Sequence, residues 1–256
     1  MAKPQIYNAQ GIVLKQAPIG EADRIITLYT LDMGKVRAVA RGVRKTRSKL
    51  GGYLEPLTHV LVSVTSGKTL DVISGVEMLH SFRVIKEDLE LVATAVYMTE
   101  LVQNISEEHS ANPDVFELLF NGLVWLQETK NPILLIRIFE VYLLKHSGFA
   151  PELYHCVECG LDLEPGDYAY NCAKGGLLCS KCQFLSTDVS FHISLNAIKV
   201  MRYLQREPYG KASALRVGSV IMDEIENVLQ RYVQYILERR LKSADFMDLV
   251  RIDTCK

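Results

Sequence analysis

The 256-residue sequence lacks the short motifs on which several classes of enzyme depend. It contains neither G-x₄-G-K-[ST] nor G-x-G-x-x-G, so neither a nucleotide-driven motor nor a dinucleotide-dependent enzyme is supported. Its six histidines are scattered, none lies in an H-E-x-x-H arrangement, and the H-x-E of the zinc deaminases does not occur. The most readily recognised catalytic classes are therefore without support.

Long apolar segments are also missing. The most apolar stretch with a helical pattern, Ile133 to Leu144, is interrupted by Arg137 and Glu140 and is shorter than the roughly 20 residues that span a bilayer. The first seven residues form no apolar run, so we predict no secretory signal. We therefore expect a cytoplasmic protein with no membrane partner. Its cysteines would stay reduced there, which favours metal binding over disulfides.

Four of the six cysteines form two C-x₂-C pairs that are separated by nineteen residues: Cys156, Cys159, Cys179 and Cys182. This spacing is typical of a structural zinc site, because two such pairs complete a tetrahedron of thiolates. A closed Cys₄ shell predicts one structural zinc ion, whereas a zinc hydrolase would need an open position. Cys172, His155 and His192 are alternative ligands. Few apolar residues separate the pairs, so we expect a metal-held insertion without its own core at about residues 150–184.

Basic residues are concentrated near the N-terminus. Residues 1–80 contain eleven Lys and Arg against six Asp and Glu, whereas the remainder contains eighteen against twenty-four. Within residues 35–49 seven of fifteen positions are basic and none is acidic: Lys35, Arg37, Arg41, Arg44, Lys45, Arg47 and Lys49. We interpret this run as a surface for nucleic-acid phosphates, with a merely solvated face as the alternative. Even spacing predicts that Lys35, Arg37 and Arg41 share one face.

Short β-rich runs separated by turn residues predict five strands in the first eighty residues: 7–16, 24–30, 35–40, 57–65 and 69–79. Five strands suggest a partly closed barrel of the OB type, and an SH3-like barrel is the rival. Tyr7, Tyr29 and Tyr53 would be either base-stacking platforms or core residues. Beyond residue 81 the apolar periodicity becomes helical. We predict an α+β multidomain protein: an OB-type barrel over 1–80, then an all-α domain over 81–256 carrying the inserted Cys₄ zinc finger.

Several segments together resemble one protein family. They are Gly20-Glu-Ala-Asp-Arg24, Gly34-Lys-Val-Arg-Ala-Val-Ala-Arg-Gly42, Gly148-Phe-Ala-Pro151 before the first cysteine pair, and Gly175-Gly-Leu-Leu before the second. The combination resembles the RecO family of bacterial DNA repair proteins over nearly the whole chain. The resemblance implies an N-terminal OB fold and a helical domain with a zinc finger, whose ligands carry over onto the four paired cysteines.

The same resemblance implies a function. Proteins of the RecO family are accessory factors rather than enzymes; they bind single- and double-stranded DNA and anneal complementary strands. They work with RecR, and sometimes RecF, to help RecA replace single-strand-binding protein in the bacterial nucleoid. The DNA-binding surface implied by the resemblance carries over onto six residues: Arg24, Lys35, Arg37, Arg41, Arg44 and Lys45. A rival interpretation is a zinc-ribbon scaffold that does not anneal DNA.

Overall fold

The computed structural model describes residues 6–45, 48, 50–67, 69–164, 166–184 and 190–254. They form two compact units. The first runs to Thr129 and resumes at Lys242, and the second comprises Lys130–Leu241. The predicted division at residues 80 and 81 separates strands from helices along the chain; as a domain boundary it stays a prediction.

A closed barrel of five strands begins the first unit: β1 (Ile6–Ile19), β2 (Asp23–Thr30), β3 (Gly34–Ala40), β4 (His59–Thr65) and β5 (Asp71–His80). The strand order is β1-β2-β3-β5-β4, and antiparallel pairing of β1 with β4 closes the barrel. Strand β5 crosses over to pair in parallel with β3. This arrangement confirms the predicted OB-type barrel.

Alternation of side chains along each strand explains the barrel core. In β3, Val36, Ala38 and Ala40 are buried, while Lys35 and Arg37 point outward. The core continues through the buried apolar residues of β2 and β4. Gly34 adopts a positive φ of 64° in the β2–β3 turn, and a Cβ there would lie 2.0 Å from the Ser110 carbonyl oxygen. A side chain at this position would therefore clash with the backbone.

Four helices complete the described part of the first unit: α1 (Arg83–Lys86), α2 (Leu89–Ile105), α3 (Pro113–Glu128) and α8 (Lys242–Thr254). The carboxylate of Asp88 caps α2, and Asn112 caps α3 directly before a proline at the first helical position. Helix α8 packs against α2, and the Ser243 amide donates to Glu100 Oε2 at 2.8 Å. The last helix therefore belongs to the same unit as the barrel.

The second unit contains helices and a small sheet: α4 (Pro132–His146), α5 (Leu195–Arg206), α6 (Tyr209–Ala212), α7 (Ser219–Leu237), β6 (Tyr168–Asn171), β7 (Gly176–Leu178) and β8 (Ser190–Ile193). The sheet has the order β7-β6-β8. Tyr170, Leu177 and Leu178 are fully buried in it. The expectation that the insertion has no core of its own is wrong, because its few apolar residues are concentrated in these short strands.

The charged interruption in the apolar run of α4 is a buried ion pair. Arg137 Nε lies 3.1 Å from Glu140 Oε2, and both side chains are inaccessible to solvent. Glu226 of α7 approaches the same guanidinium at 3.6 Å, so two helices share the charge network. Within the described residues, no helix is long and apolar enough to cross a membrane.

Candidate metal centre and nucleic-acid interface

The structure brings the two predicted cysteine pairs together. The sulfur atoms of Cys156, Cys159, Cys179 and Cys182 all lie within 4.8 Å of one another. A tetrahedral site with Zn–S distances near 2.3 Å has sulfurs about 3.8 Å apart, so a small contraction around an ion would complete the shell. Four sulfur donors are chemically suited to zinc. These residues therefore fit the predicted ion.

Local backbone groups prepare one of these sulfurs to act as a ligand. Burial alone would raise the pKa of Cys156, but the backbone N–H groups of Cys159, Cys179 and Glu158 outweigh it and lower the pKa to about 6. The Cys179 amide lies 3.4 Å from the Cys156 sulfur. Amides directed at sulfur stabilise the thiolate, which is the form that binds metal.

The alternative ligands lie outside this cluster. Among the described residues, the cluster capable of holding a metal contains only the four paired cysteines. The His155 ring lies 3.3 Å from Glu152 on one side and 3.3 Å from Asp162 on the other. His192 is exposed on β8, and burial raises the pKa of the Cys172 thiol to about 11.

The insertion sheet connects directly to the metal cluster. The Val157 amide, between the first two cysteines, donates to the Leu177 carbonyl at 2.9 Å. Leu178, which precedes Cys179, packs in an apolar cluster with Cys156 and Cys182. The cysteine pairs are thus attached to β7 by hydrogen bonds and by apolar contacts, so a metal ion would not be their only link.

The predicted basic residues divide into three groups on the barrel. The first group is the basic loop, residues 41–45, which follows β3 and contributes the exposed side chains of Arg41, Arg44 and Lys45. The Gly42 amide donates to Asp23 Oδ1 at 2.7 Å, and the Arg44 amide donates to the Ala22 carbonyl at 3.0 Å. No carboxylate among the described residues pairs with these three cations. Arg47 and Lys49 lie outside the described residues.

Lys35 and Arg37 form the second group, on the outer face of β3. The Lys35 ammonium donates to the carbonyls of Gln103 at 2.8 Å and Ser106 at 2.6 Å, where α2 ends. A lysine in this position stabilises the helix C-terminus and is already engaged. Arg37 makes only a 4.0 Å ion pair with Glu108, and both side chains are about half exposed, so it remains accessible.

Arg24, the third group, points away from that face. It pairs with buried Ala40 across the β2–β3 ladder, and directly opposed residues lie on the same side of a sheet. Its half-buried guanidinium donates to the Gln16 side chain. The structure therefore does not place Arg24, Lys35 and Arg37 on one common surface.

A further cation, Lys15, joins the outer face and was missed by the sequence reasoning. Lys15 opposes Thr27, and Thr27 opposes Arg37, so the three residues form one row across β1, β2 and β3. Ile25 and Val39 form part of the next row and are only partly buried. The β1–β2 register shift between Val13 and Lys15 determines this alignment, and a bulge of that kind leaves no clear signal in the sequence.

Two of the three tyrosines proposed as stacking platforms are structural. Tyr29 is fully buried, and its hydroxyl lies 3.4 Å from the Asn112 carbonyl. Tyr7 packs against the barrel core, where burial and the 2.5 Å hydrogen bond to Asp71 raise its pKa. Tyr53 is 42% exposed and remains available for stacking.

An apolar groove in the second unit is a separate candidate site. The groove has a volume of about 980 Å³, and its apolar lining includes Phe149, Phe191 and Tyr235. The Arg231 guanidinium lies 4.7 Å from the centre of the Phe191 ring and adds a positive charge to the lining. Sequence periodicity could not reveal this groove, because its walls come from α7 and from the insertion sheet.

Comparisons with known proteins agree along the whole chain. Family models described as Recombination protein O N terminal and C terminal match residues 1–82 and 86–245. A DNA repair protein RecO from Dehalococcoides mccartyi strain CBDB1 is 35% identical over 252 residues, covering 98% of this chain and 99% of the relative. Those from Roseiflexus sp. RS-1 and Symbiobacterium thermophilum are 34% and 35% identical, covering 97% and 96% of this chain and 87% and 98% of the relatives.

Proposed function

Since the chain belongs to the RecO family of DNA repair proteins, we propose that it is a strand-annealing accessory protein of recombinational repair. It binds DNA without catalysis and helps RecA load onto single-stranded DNA coated with single-strand-binding protein. Its partners are single- and double-stranded DNA, RecR and single-strand-binding protein, with RecF and RecA in the same pathway. It works in the bacterial cytoplasm, at the nucleoid.

The basic loop carries this proposal. Arg41, Arg44 and Lys45 are exposed, and their backbone is fixed to the start of β2 by hydrogen bonds. Cations on a fixed loop lose little conformational freedom when they meet phosphates. With Lys15 and Arg37 they form a surface that contacts phosphates of two strands without reading sequence. Neutralising both strands lowers their mutual repulsion, so pairing proceeds without nucleotide hydrolysis.

Annealing of complementary strands coated with single-strand-binding protein, with and without RecR, tests the function. The charge-reversal variant R41E/R44E/K45E should lose annealing while it remains folded. Because these side chains are exposed, their replacement should leave the thermal midpoint nearly unchanged. Wild-type annealing by the triple variant, or weak non-saturating DNA binding by the wild type, would support the zinc-ribbon scaffold instead.

We assign one structural zinc ion to the four paired cysteines. Bound there, zinc would cross-link the loop of residues 156–160 to the segment that follows β7. The donor set is four sulfurs that lie within 4.8 Å of one another. Cobalt substitution should give the absorption of tetrahedral thiolate ligation. Oxygen ligation in X-ray absorption would favour the hydrolase alternative.

We assign the tail of single-strand-binding protein to the groove beside α7. The groove offers aromatic walls and the Arg231 cation, a chemistry suited to an acidic peptide that carries apolar side chains. Glu238 also lines the groove and would repel an acidic peptide, so the attraction would have to come from Arg231, which is the residue to test. A fluorescent peptide of the tail should bind the wild type and lose affinity for Arg231→Glu. The exposed Lys199→Glu is the matched control.

A further inference from the structure

A second cleft in the second unit combines an exposed aromatic ring with two cations. This cleft, the Tyr154 cleft, is lined by seven residues: Lys145, Ala150, Pro151, Glu152, Tyr154, Gln205 and Arg206. Its volume is about 310 Å³, at the lower end of the range for small-ligand sites. Such a cleft has room for a small planar group, and not for a folded segment of a protein partner.

The ring of Tyr154 is held in position by a neighbouring arginine, Arg202. Tyr154 is 45% exposed, and the Arg202 guanidinium lies 4.7 Å from its ring centre. Arg202 is itself fixed, because its Nε donates to the Leu153 carbonyl at 2.8 Å. Gln205 Nε2 donates to the Pro151 carbonyl at 2.8 Å and ties the same segment to α5. The ring is thus a pre-oriented platform, with its cation–π partner already in place.

Two cations are accessible at the cleft. Lys145 is exposed, and no carboxylate among the described residues pairs with it. Arg206 is 69% exposed, although its Nε lies 3.0 Å from Glu207. The acidic residue of the cleft, Glu152, has a side chain that is 43% exposed, and its carboxylate is oriented by hydrogen bonds from the amides of Tyr154 at 2.7 Å and His155 at 3.0 Å.

Helix electrostatics explain only part of this arrangement. Lys145 and Arg206 lie in the last turns of α4 and α5, where a cation interacts favourably with the helix dipole. That effect does not require an exposed tyrosine in the same cleft, nor an arginine stacked on the tyrosine. An aromatic surface flanked by cations is instead the recurring pattern of single-stranded nucleic-acid sites.

We propose that the Tyr154 cleft binds one nucleotide of single-stranded DNA, with the base against Tyr154 and the flanking phosphates near Lys145 and Arg206. The inference rests on the proposed function and adds a DNA contact in the second unit to the one on the barrel. Bases of a duplex are stacked and inaccessible, so this cleft selects single strands. A protein with two such contacts can hold two unpaired strands at once.

Photocross-linking with an oligonucleotide that contains 5-iododeoxyuridine tests the assignment in the full-length protein. Cross-links should map to the peptide that carries Tyr154. Tyr154→Ala should remove them and weaken single-strand affinity about tenfold, with little effect on duplex affinity. Tyr154→Phe keeps the ring and should retain wild-type affinity. A loss of affinity in this variant as well would indicate a folding defect and not the loss of the aromatic ring. Phe184→Ala, another exposed aromatic of this unit, should behave as wild type.

The two cations are tested by salt dependence. The double variant K145Q/R206Q loses two phosphate contacts, so the slope of log affinity against log salt should become shallower by about 1.4. The control K130Q/R216Q removes two exposed charges elsewhere in the same unit and should leave the slope unchanged. Cross-links confined to the barrel, with wild-type slope and affinity in the Tyr154-cleft variants, would overturn this inference alone. Wild-type binding by the basic-loop variant as well would overturn the proposed function.

Discussion

Neutralising the basic loop gives the sharpest test of the proposed DNA surface on the barrel. Five accessible cations lie on the described part of the barrel: Lys15, Arg37, Arg41, Arg44 and Lys45. Each phosphate contact to a single strand contributes about −0.7 to the slope of log affinity against log salt, so these five contacts and the two proposed at the Tyr154 cleft give about −4.9 together. The variant R41Q/R44Q/K45Q retains four of the seven contacts and should show about −2.8.

These slopes correspond to large differences in affinity. Between 50 and 200 mM salt the wild type should lose about 900-fold in affinity, and the triple variant only about 50-fold. Fluorescence anisotropy with a labelled oligonucleotide measures both slopes. The control K130Q/K199Q/R216Q removes three exposed charges from the second unit and should keep the wild-type slope. A basic-loop variant that retains a slope near −4.9 would show that the phosphates bind elsewhere.

Three further outcomes follow from individual residues. Chelation should expose the Val157 and Cys179 amides to hydrogen exchange, while the buried sheet around Tyr170 stays protected; equal protection with and without chelator would argue against a metal. Arg137→Ala leaves Glu140 buried without its partner and should cost about 3–5 kcal/mol of unfolding free energy in urea titrations; a loss below about 1 kcal/mol would contradict this. Burial, followed by the charge of His80, lowers the pKa of His59 in the folded state. This histidine therefore costs no folding free energy above the pKa of unfolded histidine, about 6.5, and the protein loses stability as the pH falls below that value. The variant His59→Gln should flatten the dependence of the urea midpoint on pH.

Local signals in the sequence anticipated much of the fold. Asp88 and Asn112 cap α2 and α3, and such caps can be recognised in a sequence because a capping side chain acts on amides within three residues along the chain. The four cysteines converge because the C-x₂-C spacing itself prepares each pair. The insertion sheet was missed because strands of four and three residues are too short to show an alternating pattern.

The candidate DNA surface was harder to predict, since it depends on long-range packing. Seven basic residues in a run look alike in the sequence. Lys35, however, donates to the carbonyl of Gln103, sixty-eight positions further along the chain, and so stabilises the end of α2. Lys15 becomes a neighbour of Arg37 only after β1, β2 and β3 are aligned. Which cations are accessible is therefore decided by tertiary contacts, and composition alone overestimates the surface.

The charge distribution also suits a protein that must release what it binds. The net charge is −1, so attraction over long distances is weak, and charges more than about 8 Å apart are largely screened at physiological salt. On the proposed function, DNA would be held by a few local contacts that counterions can replace. Strands exchange readily under such conditions, and once two complementary strands have paired, the unstacked bases that fit against an exposed aromatic ring are gone. If the protein anneals strands as we propose, the duplex would leave it because base pairing removes part of the binding surface, and this turnover would need no nucleotide hydrolysis.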